Sequence, residues 1–265
     1  MREIEIEKVT EGIISWLKDY QEKSFTKGFI IGISGGVDSA VVSALCAKTG
    51  LPTLCVTLPI HQSENESNRA LEHIADLQKR FPNVSHQSMD LSLTFDQFVN
   101  DAPKGSENIV DLSLANVRSR LRMVTLYYLA QNHGYLVVGT GNKIEDFGIG
   151  FYTKYGDGGV DINPVADLLK TEVYKIADYL NIIESIRIAA PTDGLFGDSR
   201  TDEEQIGATY PELEWAMTQY ESGKKAEDFS KREQEVMEIY IKRHTANKHK
   251  MEPIPMYEIP NKWIK

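Results

Sequence analysis

Cysteine is scarce in this chain: Cys46 and Cys55 are its only two among 265 residues. Their spacing fits neither a metal motif nor a disulfide framework, so both read as small buried side chains. No apolar run approaches the ~20 residues needed to span a bilayer. The opening segment, Met1-Arg2-Glu3-Ile4-Glu5-Ile6-Glu7-Lys8, is too charged for a secretory signal. A cytoplasmic protein with no membrane partner is the expectation. Positive charge is also in deficit, with 29 Lys and Arg against 39 Asp and Glu and a net charge of −10. That balance excludes a general affinity for nucleic acid, because phosphate backbones are met by basic surfaces. Repeats, low-complexity tracts and proline-rich linkers are missing as well. The remaining composition, 41% hydrophobic, suits one large α/β domain over residues 1–265.

Short apolar runs at 28–33, 53–58, 84–90 and 135–139 alternate with helical segments at 39–48, 63–80 and 113–133. This is the βαβ rhythm of a parallel sheet. An amphipathic helix over residues 5–22 precedes them, with Val9, Ile13, Ile14, Leu17 and Tyr20 on one face. The expected fold is an open, Rossmann-like α/β architecture: a parallel sheet of about five strands with helices on both faces. Residues 101–111 carry turn chemistry and read as a mobile loop, and 146–165 are glycine-rich. A helix at 170–180, a second loop at 190–200, a helix opened by Thr201-Asp202-Glu203-Glu204 and helical sequence over 210–248 complete the chain. Pro253, Pro255 and Pro260 exclude regular structure from the tail.

The first strand runs into Ser34-Gly35-Gly36-Val37-Asp38-Ser39, a polar glycine turn opening a helix. Adjacent glycines allow consecutive amides to point into one concavity at the positive helix end, which binds phosphate. The turn contains no lysine, so it is not a Walker loop, and it does not match Gly-x-Gly-x-x-Gly. Two hydroxyls and the amides can instead hold a pyrophosphate, while Asp38 can help to hold a magnesium ion. A glycine turn with a Ser/Asp helix cap is the competing structural reading.

Four further segments carry polar chemistry. Arg118, Arg120 and Arg122 alternate along a helix, which spreads them around its axis like a solvated face. Val137-Val138-Gly139-Thr140-Gly141-Asn142-Lys143-Ile144-Glu145 is a strand ending in a second glycine turn. There the Thr140 hydroxyl can reach a nucleotide, and Glu145 is either a second magnesium carboxylate or a helix-start glutamate favoured by the dipole. Lys154 and Asp161 flank a glycine-dense loop around Asp157, able to place charges closely around a polar ligand. Near the end, Asn247-Lys248-His249-Lys250 reads as a basic helix terminus.

In this order, Gly32-Ile33-Ser34-Gly35-Gly36-Val37-Asp38-Ser39, Val138-Gly139-Thr140, the run from Thr153 to Pro164, Pro191-Thr192 and His249-Lys250 resemble the ammonia-dependent NAD synthetases. Those enzymes belong to the ATP-pyrophosphatase, or adenine nucleotide alpha hydrolase-like, superfamily. The glycine turn is shared across the superfamily, whereas Lys154-Tyr155-Gly156-Asp157-Gly158-Gly159 is particular to this family. The resemblance implies that Gly32, Ile33, Ser34, Gly35, Gly36, Val37, Asp38, Ser39, Thr140, Lys170 and Thr192 contact ATP. It implies that Asp38 and Glu145 hold magnesium, with Asp38 and Lys170 the catalytic groups. Arg120, Lys154, Asp161, His249 and Lys250 would contact deamido-NAD. The segment between Glu145 and Lys154 is one residue longer than in common bacterial members, so Asp146 competes with Glu145 as the metal ligand. Pro191-Thr192-Asp193-Gly194-Leu195 and Met251-Glu252 also depart from the family pattern.

The implied reaction joins a carboxylate of deamido-NAD to AMP with loss of pyrophosphate, after which ammonia displaces AMP and yields NAD. Glutamine-using relatives add an amidase domain with a nucleophilic cysteine, for which this sequence has neither spare length nor a cysteine outside its core, so free ammonia is the expected donor. A homodimer is implied too, with the first helix as a candidate contact. Two other classes remain open at this point: a tRNA-modifying ATP pyrophosphatase, which would want more basic surface, and a nucleotide sensor that never turns ATP over.

Overall fold

A computed structural model of the chain describes residues 2–103, 105, 107–192, 201–224 and 229–264. Four strands, β1 (Gly28–Gly32), β2 (Thr53–Thr57), β3 (Val84–Ser88) and β4 (Tyr135–Val137), form one parallel sheet in the order β3-β2-β1-β4. The reversal of strand order lies between β1 and β4, so the carboxyl ends of these two strands flank the crevice where open α/β sheets place ligands. About five strands are expected from sequence, and among the described residues four pair as a sheet. Beyond the end of β4, a single parallel bridge joins Val138 to Ile162.

The period of two along β1 sorts its side chains between two cores. Phe29 and Ile31 join Cys55 on one face, under α1 (Ile6–Lys23), α2 (Val37–Lys48) and α3 (Glu64–Arg80). Ile30, with Leu54 and Val56, faces α4 (Ser92–Asp101) and α5 (Glu107–His133) through Phe95, Leu129 and Ala130. Helix α2 is buried almost all round, as befits an inner helix between the sheet, α1 and α6 (Lys170–Tyr179). In α1 the buried stripe is Thr10, Ile14 and Leu17, while Tyr20 turns outward and is 40% exposed. Both cysteines are free and buried.

A third core lies beyond the sheet, where α9 (Tyr210–Glu221) and α10 (Lys231–Met251) pack on residues 144–149 through Leu213, Tyr240, Ile144 and Ile149. Of two short helices, α7 (Glu184–Arg187) packs against α2, α3 and α6, and α8 (Asp202–Ile206) adds Ile206 to the third core.

Several local expectations change. The stretch at 101–111 is not a loop throughout, because turn chemistry ends with Gly105 and α5 begins at Glu107; positions 104 and 106 lie outside the described residues. Helix α4 was not expected, since only Phe95 is buried along it and no sustained apolar period marks it. The helical sequence over 210–248 is broken by Ser222 and Gly223, with Gly223 in the left-handed region at φ 69°. Of the second loop, residues 193–200, including Asp193, Gly194 and Leu195, lie outside the described residues. The first part of the glycine-rich stretch is a π-helix, Ile144–Ile149, capped by left-handed Gly150. A π-turn takes up one residue more than an α-helical turn. Among the described residues, no helix is long and apolar enough to cross a membrane.

Candidate active site

The carboxyl ends of β1 and β4 open into a cleft of about 430 Å³. Every residue from Gly32 to Ser39 lines it, as do Thr140, Glu145, Lys170 and Thr192. The sequence-derived nucleotide and metal residues are therefore brought together in one cavity.

The glycine turn is fixed by its own hydroxyls. Ser34 Oγ lies 3.1 Å from Ser39 Oγ and accepts the Gly36 amide at 3.2 Å, and Ser39 Oγ donates to the Gly36 carbonyl at 3.1 Å. Gly35 has φ 87°, and a Cβ there would stand 2.6 Å from the Glu66 carbonyl oxygen. Only glycine suits that position on both counts. The turn delivers Asp38 into the first turn of α2.

Asp38 meets Glu145 and Lys170 at the centre of the cleft. Lys170 Nζ donates to Asp38 Oδ2 at 2.5 Å and to Glu145 Oε1 at 2.9 Å, with its side chain only 4% exposed. Asn142, fully buried, completes the arrangement: its Nδ2 donates to Asp38 Oδ1 at 3.1 Å and Glu145 Oε2 at 2.6 Å, and its Oδ1 accepts the Glu145 amide at 3.1 Å. Tyr210 OH donates to Glu145 Oε1 at 2.5 Å. Burial alone would push the Lys170 ammonium down, but the two carboxylates hold it well above its ordinary value. Burial raises Glu145 above the usual carboxylate range, with Lys170 pulling against it and Asp38 adding to the rise.

Asp146, the rival of Glu145, also lines the cleft but has a different partner. Its Oδ2 accepts from Asn163 Nδ2 at 3.2 Å, and a Cβ on Gly141 would collide with its carboxylate at 2.1 Å. Burial lifts its carboxyl well above the ordinary range, and the charges of Glu145, Asp157 and Asp38 add to this. Of the two consecutive acids, Glu145 is the one sharing Lys170 and Asn142 with Asp38.

The glycine-dense loop is clamped to α5 and to β4. Asp157 Oδ1 accepts from Ser119 Oγ at 2.6 Å and from the Thr153 amide at 3.0 Å, and a Cβ on Gly156 would sit 2.2 Å from Ser119 Oγ. Asp161 accepts from Tyr127 OH at 3.1 Å and from the Val137 amide at 2.8 Å. Arg120 donates to the Lys154 carbonyl at 3.2 and 3.3 Å, and Lys154 Nζ to the His249 carbonyl at 2.5 Å. Lys250 Nζ donates to the Gly150 and Tyr152 carbonyls at 2.8 Å each. Arg120, Lys154, Asp161, His249 and Lys250 thus do not line the cleft. Three of them, Lys154, His249 and Lys250, join the end of α10 to the loop, and Arg120 ties the loop to α5. The three arginines of α5 do diverge: Arg118 lies 4.2 Å from the Phe95 ring centroid, while Arg122 donates to the Leu58 carbonyl at 3.0 Å.

Sequence reasoning overlooked Asn142 and Tyr210. Asn142 directly follows the second glycine turn, so position offered a signal. Tyr210 is marked only by the capping box of Thr209 and Glu212, which signals a helix start and nothing about the cleft.

The donor set suits a hard divalent cation: two carboxylates from separate elements converge, each held by shared donors, while the described residues contain no larger His, Cys, Asp or Glu cluster. Two protein carboxylates with phosphate and water oxygens are what magnesium commonly takes.

The chain is similar to known proteins over most of its length. A Carboxydothermus hydrogenoformans protein called NH(3)-dependent NAD(+) synthetase is 35% identical over 94% of this chain and 98% of its own length. Among solved structures, an NMN synthetase from Francisella tularensis is 31% identical with a TM-score of 0.83, covering 98% of this chain and 100% of the other. An NH3-dependent NAD synthetase from Campylobacter jejuni is 25% identical with a TM-score of 0.77, covering 96% and 100%. The family model described as NAD synthase matches residues 9–254. That span carries the glycine turn of β1, the Asp38, Glu145 and Lys170 cluster and the clamped loop behind them, and by this match the chain belongs to the NAD synthase family.

Proposed function

We propose that this protein makes NAD by ATP-dependent amidation of deamido-NAD with ammonia, the last step of NAD biosynthesis, acting as a C–N bond-forming ligase. The observation that carries the reading is the meeting of the glycine turn, Asp38, Glu145 and Lys170 in one cleft at the strand-order reversal. A nicotinate carboxylate oxygen attacks the α-phosphorus of ATP, the bond to the β-phosphate bridging oxygen breaks, and pyrophosphate leaves with that electron pair. The amides of Gly35 to Ser39 receive the pyrophosphate, because they lie at the positive end of α2. Lys170 neutralises charge that grows on the phosphates, an electrostatic and positional contribution. Ammonia then attacks the adenylate carbonyl, AMP departs and one proton is lost. Thr140 and Thr192, which line the same cleft, would contact ATP.

Asp38 and Glu145 would hold magnesium, which when bound offsets phosphate charge. Arg120, Lys154, Asp161, His249 and Lys250 would bind the dinucleotide, requiring the contacts of Lys154 and Lys250 with backbone carbonyls to be shared with it or exchanged for it. The chain would work as one domain and as a homodimer in the cytoplasm, consistent with two free, buried thiols.

The similarity to the Francisella NMN synthetase structure favours a second reading, in which the same amidation acts on the corresponding mononucleotide acid. Incubation with ATP, magnesium, ammonium and either acid, followed by quantifying AMP, pyrophosphate and amide product, separates the two. NAD should form, at a higher kcat/KM than NMN. NMN alone would reject the dinucleotide, and neither product would reject the function.

A further inference from the structure

Tyr210 stands at the head of α9 and is 3% exposed. Its amide donates to Glu203 Oε1 at 2.9 Å, which fixes the backbone from which the ring reaches the cleft. A buried phenol needs a partner for its O–H, and this one has two candidate acceptors: Glu145 Oε1 at 2.5 Å and Asp202 Oδ2 at 3.2 Å. A phenol carries one hydrogen, and the nearer oxygen takes it. The ring also lies 4.9 Å from Lys170 Nζ, centroid to nitrogen.

The two oxygens of Glu145 are consequently unequal. Oε1 accepts from both Lys170 and Tyr210, which occupies its two lone-pair directions, while among the described residues Oε2 accepts only from Asn142. With Lys170 in place and the phenol donating, Oε1 has no lone-pair direction left, and Glu145 offers a cation one oxygen, Oε2; removing the Tyr210 hydroxyl frees a direction on Oε1 even while Lys170 stays. Magnesium wants near-octahedral geometry with compact ligands, whereas calcium takes six to eight oxygens and readily binds a carboxylate through both.

We propose that Tyr210 is a specificity-determining positioning residue, which keeps Glu145 monodentate and thereby sets the cleft for magnesium against calcium. The inference rests on the magnesium reading given above. Its test is metal binding rather than turnover: Mn2+ titrated into the protein with a non-hydrolysable ATP analogue, read by electron paramagnetic resonance, then displaced by Mg2+ or Ca2+.

Tyr210→Phe removes one oxygen and keeps the ring. It should weaken Mn2+ binding by roughly tenfold, as loss of an outer-sphere partner generally does, and shift the ratio of Ca2+ to Mg2+ affinity towards calcium by about fivefold or more. A purely structural role would lower the melting temperature and leave that ratio unmoved; an unmoved ratio, whether or not both metals weaken, overturns the proposal. If the Phe variant does not fold, Asp202→Ala keeps the phenol and removes its competing acceptor. That variant should retain or sharpen the wild-type preference for Mg2+, and a shift towards calcium would overturn the proposal. Failure of wild-type protein to bind Mn2+ would overturn the magnesium reading itself, and this inference with it.

Discussion

Replacing Lys170 by Met should expose how the two carboxylates of the cleft are held. Methionine matches the length of the lysine stem but removes the cation that donates to Asp38 at 2.5 Å and to Glu145 at 2.9 Å. Asp38 and Glu145 side chains are only 16% and 14% exposed, so water replaces little of what is lost. Asn142 and Tyr210 remain as donors, but neither is charged. Breaking a buried ion set by removing one partner costs about 3–5 kcal/mol, and the lower figure applies here because uncharged donors remain. For a chain of this size, ~3 kcal/mol lowers the melting temperature by roughly 6–12 °C.

The loss should depend on pH in a definite direction. Burial already raises Glu145 above its usual range against the pull of Lys170, so without that pull it rises further. A carboxyl whose folded value lies above its unfolded value contributes stability below the unfolded value and loses it as pH rises through the folded one. The variant's deficit should therefore be largest near about pH 8 and shrink towards about pH 5. Magnesium without ATP should also restore part of the deficit in the variant, by ~2.7 kcal/mol at a hundredfold excess over its dissociation constant. Wild-type protein should respond much less. Differential scanning calorimetry across pH, with and without magnesium, is the assay. A melting temperature equal to wild type, or a deficit that does not change with pH, would refute the reasoning.

Two further predictions concern the support of the cleft. His73, fully buried between α2 and α3, pairs with Ser43 Oγ at 2.9 Å, and burial pushes its imidazole down from 6.5 to about 4. The unfolded chain therefore binds the extra proton between those values, so stability is complete above about pH 6.5 and falls by up to ~3 kcal/mol on acidification towards about pH 4. His73→Gln should flatten that part of the curve in urea titrations, and an unchanged slope would assign it to other groups. Gly35→Ala would place a Cβ 2.6 Å from the Glu66 carbonyl in a left-handed residue. It should cost about 1–2 kcal/mol and weaken ATP binding at least tenfold by calorimetry; wild-type affinity would remove the turn from the phosphate site.

Much of the architecture was legible because it is encoded locally. The strand of Phe29 to Ile31 and the helix of Ala40 to Lys48 declare themselves through apolar runs and turn residues within about ten positions. Helix α4 escaped because its one buried residue, Phe95, makes no pattern. The π-helix escaped because a π-turn differs from an α-turn by one residue and leaves no distinct apolar period over so short a span.

The sequence by itself determined the βαβ order, the phosphate turn without a lysine and the family motif of residues 154–159. Tertiary structure decided that Glu145 rather than Asp146 meets Asp38, that Asn142 and Tyr210 hold the pair, and that Lys250 caps backbone carbonyls. The physical reason is separation along the chain. Lys170 is 132 residues from Asp38, Asn142 is 104 from Asp38, and Tyr210 is 65 from Glu145. Such contacts leave no periodicity to read, and only the packing of α9 and α10 on the π-helix brings the phenol to the carboxylate.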